Sequence, residues 1–217
     1  LPGLISPRKQ TVTELSTEQE EELRFTDMDL SPSMLKALDH VGYEFPSPVQ
    51  EGVIPLALDG YDVMGQARTG TGKTAAFAIP IIEQLAPPDE IRKPQALVVV
   101  PTRELALQVT NEVERLSFGQ QINTVAVYGG DPIHRQITRI KQGVQIVVGT
   151  PGRMLDHIQR GTLDLREVWC VVLDEADRML DIGFRPDIER ILSRCTCDNR
   201  QTLLMSATVP VEIQRLA

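Results

Sequence analysis

Two short segments of this chain carry residue types and spacing suited to chemistry on a phosphate group. Residues 67–74 read Ala-Arg-Thr-Gly-Thr-Gly-Lys-Thr, and residues 172–177 read Val-Leu-Asp-Glu-Ala-Asp. Gly70 and Gly72 can take backbone angles closed to other residues, so successive N–H groups can turn toward phosphate oxygens at a helix N-terminus. Lys73 would then reach the terminal phosphates, and the Thr74 hydroxyl would hold Mg²⁺. The loop follows a short apolar run at Asp62-Val63-Met64 and leads into Thr74-Ala75-Ala76-Phe77-Ala78-Ile79, which has the composition of a buried helix. That is the strand, loop, helix context a phosphate loop requires. Ala67 stands where the general pattern G-x-x-x-x-G-K-[ST] has its first glycine, so the loop taken alone could also be a glycine-rich turn.

The second segment strengthens the first. Asp174 ends an apolar run, which puts its carboxylate at a strand tip, where it could bind Mg²⁺ directly or through water. Glu175, one residue on, could face a water in line with the terminal phosphate and act as its general base. A lone Asp-Glu-Ala-Asp is commonly a solvated helix start, with acids favoured by the helix dipole. Following a buried strand, and with Lys73-Thr74 in the same chain, it points instead to nucleoside-triphosphate hydrolysis.

Such a site needs a scaffold that brings strand ends together. Apolar runs at residues 96–100, 124–128, 145–149, 168–173 and 202–205 alternate with helix-like stretches at 103–116, 133–141, 153–158 and 186–192. Runs that are continuous rather than alternating indicate an α/β fold with a mainly parallel sheet covered by helices on both faces. Ligands bind at the C-terminal ends of strands in such folds, where both segments fall. Two further helices are predicted over Pro32–Val41 and Pro48–Leu58, each opened by a Ser-Pro pair that caps the helix and starts its first turn. Residues 1–24, with Pro2, Gly3, Pro7 and a Thr/Glu-rich stretch, read as a flexible arm, and order is expected from Phe25. An apparent helix starting near Pro210 is still running at Ala217, which looks like a cut rather than a natural end.

With 217 residues, 41% hydrophobic and 24% charged, the chain fits one globular domain, 25–217, behind the arm. No apolar run approaches a membrane span and residues 1–24 lack the apolar region of a signal peptide, so a soluble, intracellular, cytoplasmic protein is expected. Cys170 lies inside an apolar run and Cys195 and Cys197 have no matching pair, so neither a disulfide framework nor a zinc site follows. The net charge of −8, of which residues 1–24 supply −2, argues against coating nucleic acid by bulk charge. Any nucleic-acid contact must be local and partly neutral.

Together with these segments, several other short motifs make the chain from Phe25 to Ala217 resemble the DEAD-box family of ATP-dependent RNA helicases. Gly42-Tyr43-Glu44-Phe45-Pro46-Ser47-Pro48-Val49-Gln50 is similar to the family's Q motif, with Phe25 at its upstream aromatic position. Residues 67–74 are similar to motif I, including Ala67. Pro101-Thr102-Arg103-Glu104-Leu105-Ala106 resembles motif Ia, Gly129-Gly130 the GG element, Thr150-Pro151-Gly152-Arg153 motif Ib, Asp174 to Asp177 motif II, and Ser206-Ala207-Thr208 motif III.

The resemblance implies the ATP-binding, RecA-like P-loop domain of an enzyme that couples ATP hydrolysis to RNA binding and local duplex unwinding. An ATP-gated RNA clamp and a DNA-directed translocase of the same superfamily are the alternatives. ATP and Mg²⁺ are the implied cofactors. Phe25, Phe45, Gln50, Ala67, Thr69, Gly70, Thr71, Gly72, Lys73 and Thr74 would bind the nucleotide, with Thr74 and Asp174 on the metal. Gln50 could donate and accept at once along the adenine edge. Phe25 would stack on the base, or else simply pack beside the first helix. Lys73, Thr74, Asp174, Glu175, Asp177, Ser206 and Thr208 would serve catalysis, the two hydroxyls by bonding Asp177 or by ordinary capping.

Pro101, Thr102, Arg103, Gly129, Gly130, Thr150, Gly152 and Arg153 would contact RNA sugar and phosphate without reading sequence. A cap or surface ion pair remains open for each of them. Phe184 and Arg185 would help bend the strand. A second RecA-like domain, which supplies arginines to the transferring phosphate in this family, has no counterpart here, so the chain alone is expected to be nearly inactive.

Overall fold

The computed structural model of the chain describes residues 10–11, 23–68, 70–86 and 93–208. Strands β1 (Gln10–Thr11), β2 (Val63–Gln66), β3 (Ala96–Val99), β4 (Thr124–Val127), β5 (Ile146–Gly149), β6 (Cys170–Asp174) and β7 (Gln201–Ser206) form one sheet. Its order is β1-β2-β7-β6-β3-β5-β4, and every pairing is parallel.

A parallel sheet needs cover on both faces, and successive side chains of each strand go to opposite covers. Ala96 and Val98 of β3 pack with Cys170 and Val172 of β6, under α1 (Pro32–Val41), α2 (Pro48–Leu58), α3 (Lys73–Gln84) and α4 (Arg103–Leu116). Leu97 and Val99 pack with Val171 and Leu173 on the other face. That face is covered by α5 (Ile133–Lys141), α6 (Pro151–Gln159), α7 (Ala176–Ile182) and α8 (Arg185–Leu192). This double cover is why the strands read as unbroken apolar runs.

Helix α1 begins with its expected serine cap, whereas α2 begins at Pro48 with Ser47 Oγ unpartnered and Gln50 Oε1 accepting from Ser47 N at 2.8 Å instead. Ser31 Oγ accepts from Met34 N ahead of Pro32, and Gly42, at φ 79°, ends α1 in the left-handed region. Gly149 closes β5 against β4 so tightly that a Cβ there would lie 2.1 Å from the Val127 carbonyl oxygen. This glycine fixes the mouth between those strands.

One sequence expectation changes here. Within the 1–24 segment expected to be a flexible arm, Gln10 and Thr11 pair with Val63 and Met64 as an edge strand. A two-residue strand is too short for a side-chain period to announce it. Residues 1–9 and 12–22, and the expected helix from Pro210, lie outside the described residues. Among the described residues, no helix is long and apolar enough to cross a membrane.

Candidate nucleotide and nucleic-acid site

The phosphate loop leaves β2 and enters α3, and β7 holds its start, since Ala67 N donates to the Ser206 carbonyl at 3.0 Å. Gly70 and Gly72 take φ 84° and 88°, as an inward-turning loop requires. Thr71 Oγ1 donates to the Arg68 carbonyl at 2.7 Å, which stiffens the turn. Thr69 lies outside the described residues.

Lys73, the first residue of α3, is only 6% exposed. Among the described residues no carboxylate lies within 4 Å of it. A buried cation without a partner, beside N–H groups at a helix start, suits an anionic ligand.

At the tip of β6, Asp174 is 2% exposed and accepts from Glu175 N at 2.9 Å. Burial pushes its carboxyl up to about 6, against the pull of the nearby Lys73 charge. Such a group gains from a cation. Among the described residues no cluster of three or more His, Cys, Asp or Glu could hold a metal by itself. The donors fit an Mg²⁺ held by one carboxylate, the Thr74 hydroxyl and phosphate oxygens, which is the mode this hard, strongly hydrated ion favours.

Glu175 is the sole non-glycine with positive φ among the described residues, at φ 51° and ψ 48°. Its Oε2 accepts from Arg178 Nη1 at 3.1 Å. Asp177 Oδ2 accepts from both the N–H and the hydroxyl of Thr208, at 2.9 and 3.0 Å, and Asp177 N donates to Ser206 Oγ at 3.3 Å. Burial pushes Asp177 up, but the donors from Thr208, Arg178 and Ser206 outweigh it and hold the carboxyl below its ordinary range. The two hydroxyls therefore join β7 to α7.

On the adenine side the two expected aromatics part company. Phe25 is 2% exposed, packed into the core with Met34 and Leu38, with its N–H bonded to the Glu44 carbonyl. So buried a ring favours the packing alternative over stacking on a base. Phe45 is 37% exposed, and the Arg24 guanidinium lies 4.6 Å from its centroid. Gln50 is buried, accepting from Ser47 N at 2.8 Å and donating to the Gly72 carbonyl at 3.1 Å. Its amide keeps one donor and one acceptor position for a ligand. A Cβ at Gly72 would meet Gln50 Nε2 at 2.5 Å, and the φ of 88° favours glycine there in any case.

Across the sheet, the expected RNA-contact residues lie at the ends of β3, β4 and β5. Pro101 is buried behind them, Thr102 Oγ1 caps α4 by accepting from Leu105 N at 3.2 Å, and Arg103 stacks 5.0 Å over the Tyr128 ring. Gly129, Gly130 and Gly152 are exposed, and Thr150 opens α6. The Arg153 side chain is only 15% exposed, and its Nη1 donates to the Asp131 carbonyl at 2.9 Å and to Gln136 Oε1 at 3.2 Å.

Sequence reasoning missed this clasp. Gln136 Nε2 reaches the Tyr128 carbonyl and Asp131 Oδ2, and buried His157 bonds Gln136 Oε1 through Nε2 at 3.0 Å and Thr162 through Nδ1 at 2.9 Å. Burial and the Arg153 charge lower the imidazole pKa, so it is neutral, with Nε2–H donating to Gln136. The available signal was Gln136 itself, a polar residue on the apolar face of α5, four before Ile140.

Phe184 is half-buried against the α5–α8 core, and Arg185 pairs with Glu189 at 2.9 Å.

A family model described as DEAD/DEAH box helicase matches residues 47–216. The chain is similar to the ATP-dependent RNA helicase CshA of Limosilactobacillus reuteri, 52% identical over 89% of this chain and 38% of that protein. It is also similar to the ATP-dependent RNA helicase DeaD of Haemophilus influenzae, 48% identical over 90% of this chain and 32% of that protein. The chain thus spans about two-fifths or less of these relatives. The crystal structure of a DEAD box protein from the hyperthermophile Methanococcus jannaschii superposes with a TM-score of 0.82 at 46% identity, over 89% of this chain and 52% of that one. The family match begins at Ser47, just ahead of Gln50, and takes in the phosphate loop, the Asp174 strand tip and the β3–β5 mouth. The chain belongs to the DEAD/DEAH box helicase family, with the RecA-like α/β fold.

Proposed function

We propose that this domain binds ATP and Mg²⁺ and, with a second RecA-like domain, couples ATP hydrolysis to RNA backbone binding and local duplex unwinding in the cytoplasm. The observation that carries the reading is the pair of buried opposite charges, Lys73 and Asp174, held without ion-pair partners at or beyond the ends of strands that flank β7. A pair placed so costs stability unless a ligand with both an anionic and a cationic part completes it. A metal-bound triphosphate is such a ligand.

In this reading Lys73 and the loop N–H groups bind the β- and γ-phosphates, and Thr74 and Asp174 hold Mg²⁺, which neutralises charge on the transferring phosphate. Glu175 orients the attacking water and takes its proton, and to do so it must give up Arg178. Asp177, Ser206 and Thr208 transmit the state of that site along β7. Gln50 reads adenine through its remaining donor and acceptor, and Phe45, the exposed aromatic, takes over the stacking role expected of Phe25. Thr102, Arg103, Gly130, Thr150 and Arg153 hold sugar and phosphate of a single strand, with RNA preferred through its 2′-hydroxyl.

Support for RNA as the polymer comes from the names of the relatives, each an ATP-dependent RNA helicase. Without arginines from a second domain, this chain alone is expected to bind ATP or ADP but to turn over very slowly.

Calorimetry with ATP, ADP and GTP on the chain, on Gln50→Ala and on Lys73→Ala tests the reading. Adenine selectivity that Gln50→Ala erases, with weaker binding by Lys73→Ala, is the expected result. Equal binding of GTP by the unaltered chain would leave a phosphate loop with no base reader and sink the assignment.

A further inference from the structure

Helix α5 arranges its charges unlike the helices beside it. Gln136 and Ile140 are buried and Ile133 and Ile137 are half-buried, while His134, Arg135, Thr138, Arg139 and Lys141 are all exposed. The helix contains no acid, in a chain of net charge −8. Among the described residues none of Arg135, Arg139 and Lys141 lies within 4 Å of a carboxylate. On α6 and α8, by contrast, Arg160 pairs with Asp156 at 2.6 Å, Arg185 with Glu189 at 2.9 Å and Arg190 with Asp187 at 3.6 Å.

Helix stability does not explain this pattern. Arg139 and Lys141 sit in the last turn, where the dipole favours cations, but Arg135 sits in the first, where it does not. Arg135 and Arg139, four apart, also repel each other. An anionic partner outside the chain removes both penalties.

The helix is fastened to the expected RNA-contact loop. Gln136 bonds the Tyr128 carbonyl, Asp131 and Arg153 at 3.1–3.2 Å, so the ridge starts beside Gly129, Gly130 and Arg153. From Arg135 to Lys141 the cations span about 9 Å along the helix. We propose that the outward face of α5 binds the phosphates of the same RNA strand and extends its track beyond Arg153. The proposal rests on the RNA reading above. Arg135 and Arg139, four apart on one side of the outward face, with Lys141 on its far flank, continue a backbone-contact surface, which fits a polymer of evenly repeated charge better than an isolated acidic segment of another protein.

The test combines Arg135→Gln, Arg139→Gln and Lys141→Gln in this chain, all exposed positions where glutamine keeps good helix propensity. Binding of a fluorescent single-stranded RNA is followed by anisotropy from about 50 to 200 mM salt. Three lost phosphate contacts should make the slope of log affinity against log salt shallower by about 2, so this fourfold rise in salt costs the variant about 20-fold less affinity than the unaltered chain. ADP affinity and the melting temperature should not move. An unchanged slope overturns the proposal, and so does an unchanged slope with lost binding of a polyglutamate peptide, which would assign the ridge to a protein partner. If the unaltered chain binds no RNA even at about 50 mM salt, this face grips no phosphates by itself and the proposal falls, while adenine-selective nucleotide binding would still stand.

Discussion

Along the β2-β7-β6 side of the sheet, two charged groups at the strand ends are buried and lack ion-pair partners: Lys73 is 6% exposed and Asp174 2%. Along the β3-β5-β4 side, the cations already have company, Arg103 over Tyr128 and Arg153 between Asp131 and Gln136. The first side is costly to maintain empty and gains when a ligand arrives. The second is content without one and offers a surface of fixed shape. Chemistry needs the former, because desolvated charge acts strongly on a transferring phosphate. Sequence-independent grip needs the latter, because position rather than polarisation is what it supplies.

The largest expected effect breaks the costly side. Asp174 keeps a proton in the folded chain up to about pH 6, where an unfolded carboxylate has already lost it. Stability is therefore lost as pH rises from about 4 through 6. Asp174→Asn removes that loss, so it should stabilise the nucleotide-free chain by about 3 kcal/mol at pH 8 and hardly at all at pH 3.5. Urea unfolding at both values checks this, and equal effects would show that the carboxylate is not strained by burial.

Lys73→Ala comes next. It should weaken ADP binding by about 30-fold, or about 2 kcal/mol, by calorimetry. It should also push the Asp174 titration higher, since Lys73 is the charge that now restrains it.

On the other side Gln136→Ala leaves the Tyr128 carbonyl, Arg153 and His157 each short of a partner. A loss of about 2 kcal/mol in unfolding free energy is expected, with ADP affinity unchanged. If ADP affinity falls as well, the two sides are coupled in the absence of RNA and the contrast drawn between them is too sharp.

The smallest effect belongs to Gln50→Ala, about 1 kcal/mol in ATP affinity with loss of preference over GTP. Because Gln50 also holds the Gly72 carbonyl, part of the loss should appear with inorganic pyrophosphate, which has no base. A purely base-specific effect would detach the glutamine from the loop.

What could be read from the sequence follows from what is local along it. The proposed phosphate chemistry asks for Lys73 and Thr74 on one turn and Asp174 and Glu175 at one strand tip, so those residues stand in adjacent positions. Six of the seven strands lie on apolar runs because a sheet covered on both faces needs them. β1 was not legible, since two residues bonding through their backbones leave no pattern. The burial of Phe25 is set by Met34 and Leu38 packing around it, which spacing does not reveal. The clasp on Arg153 draws on Asp131, Gln136 and His157 from a loop and two helices, and its single trace is a glutamine where an apolar residue would be expected.

The left-handed backbone of Glu175 carries a consequence for anyone re-engineering this domain. Glycine would relax that position, and a design guided by stability alone would choose it, gaining about 1 kcal/mol. The same change would delete the carboxylate that we propose as the general base of hydrolysis. Thermal robustness and turnover are in conflict at this single residue, and a library selected on melting temperature would be expected to enrich the very substitution that an activity screen discards.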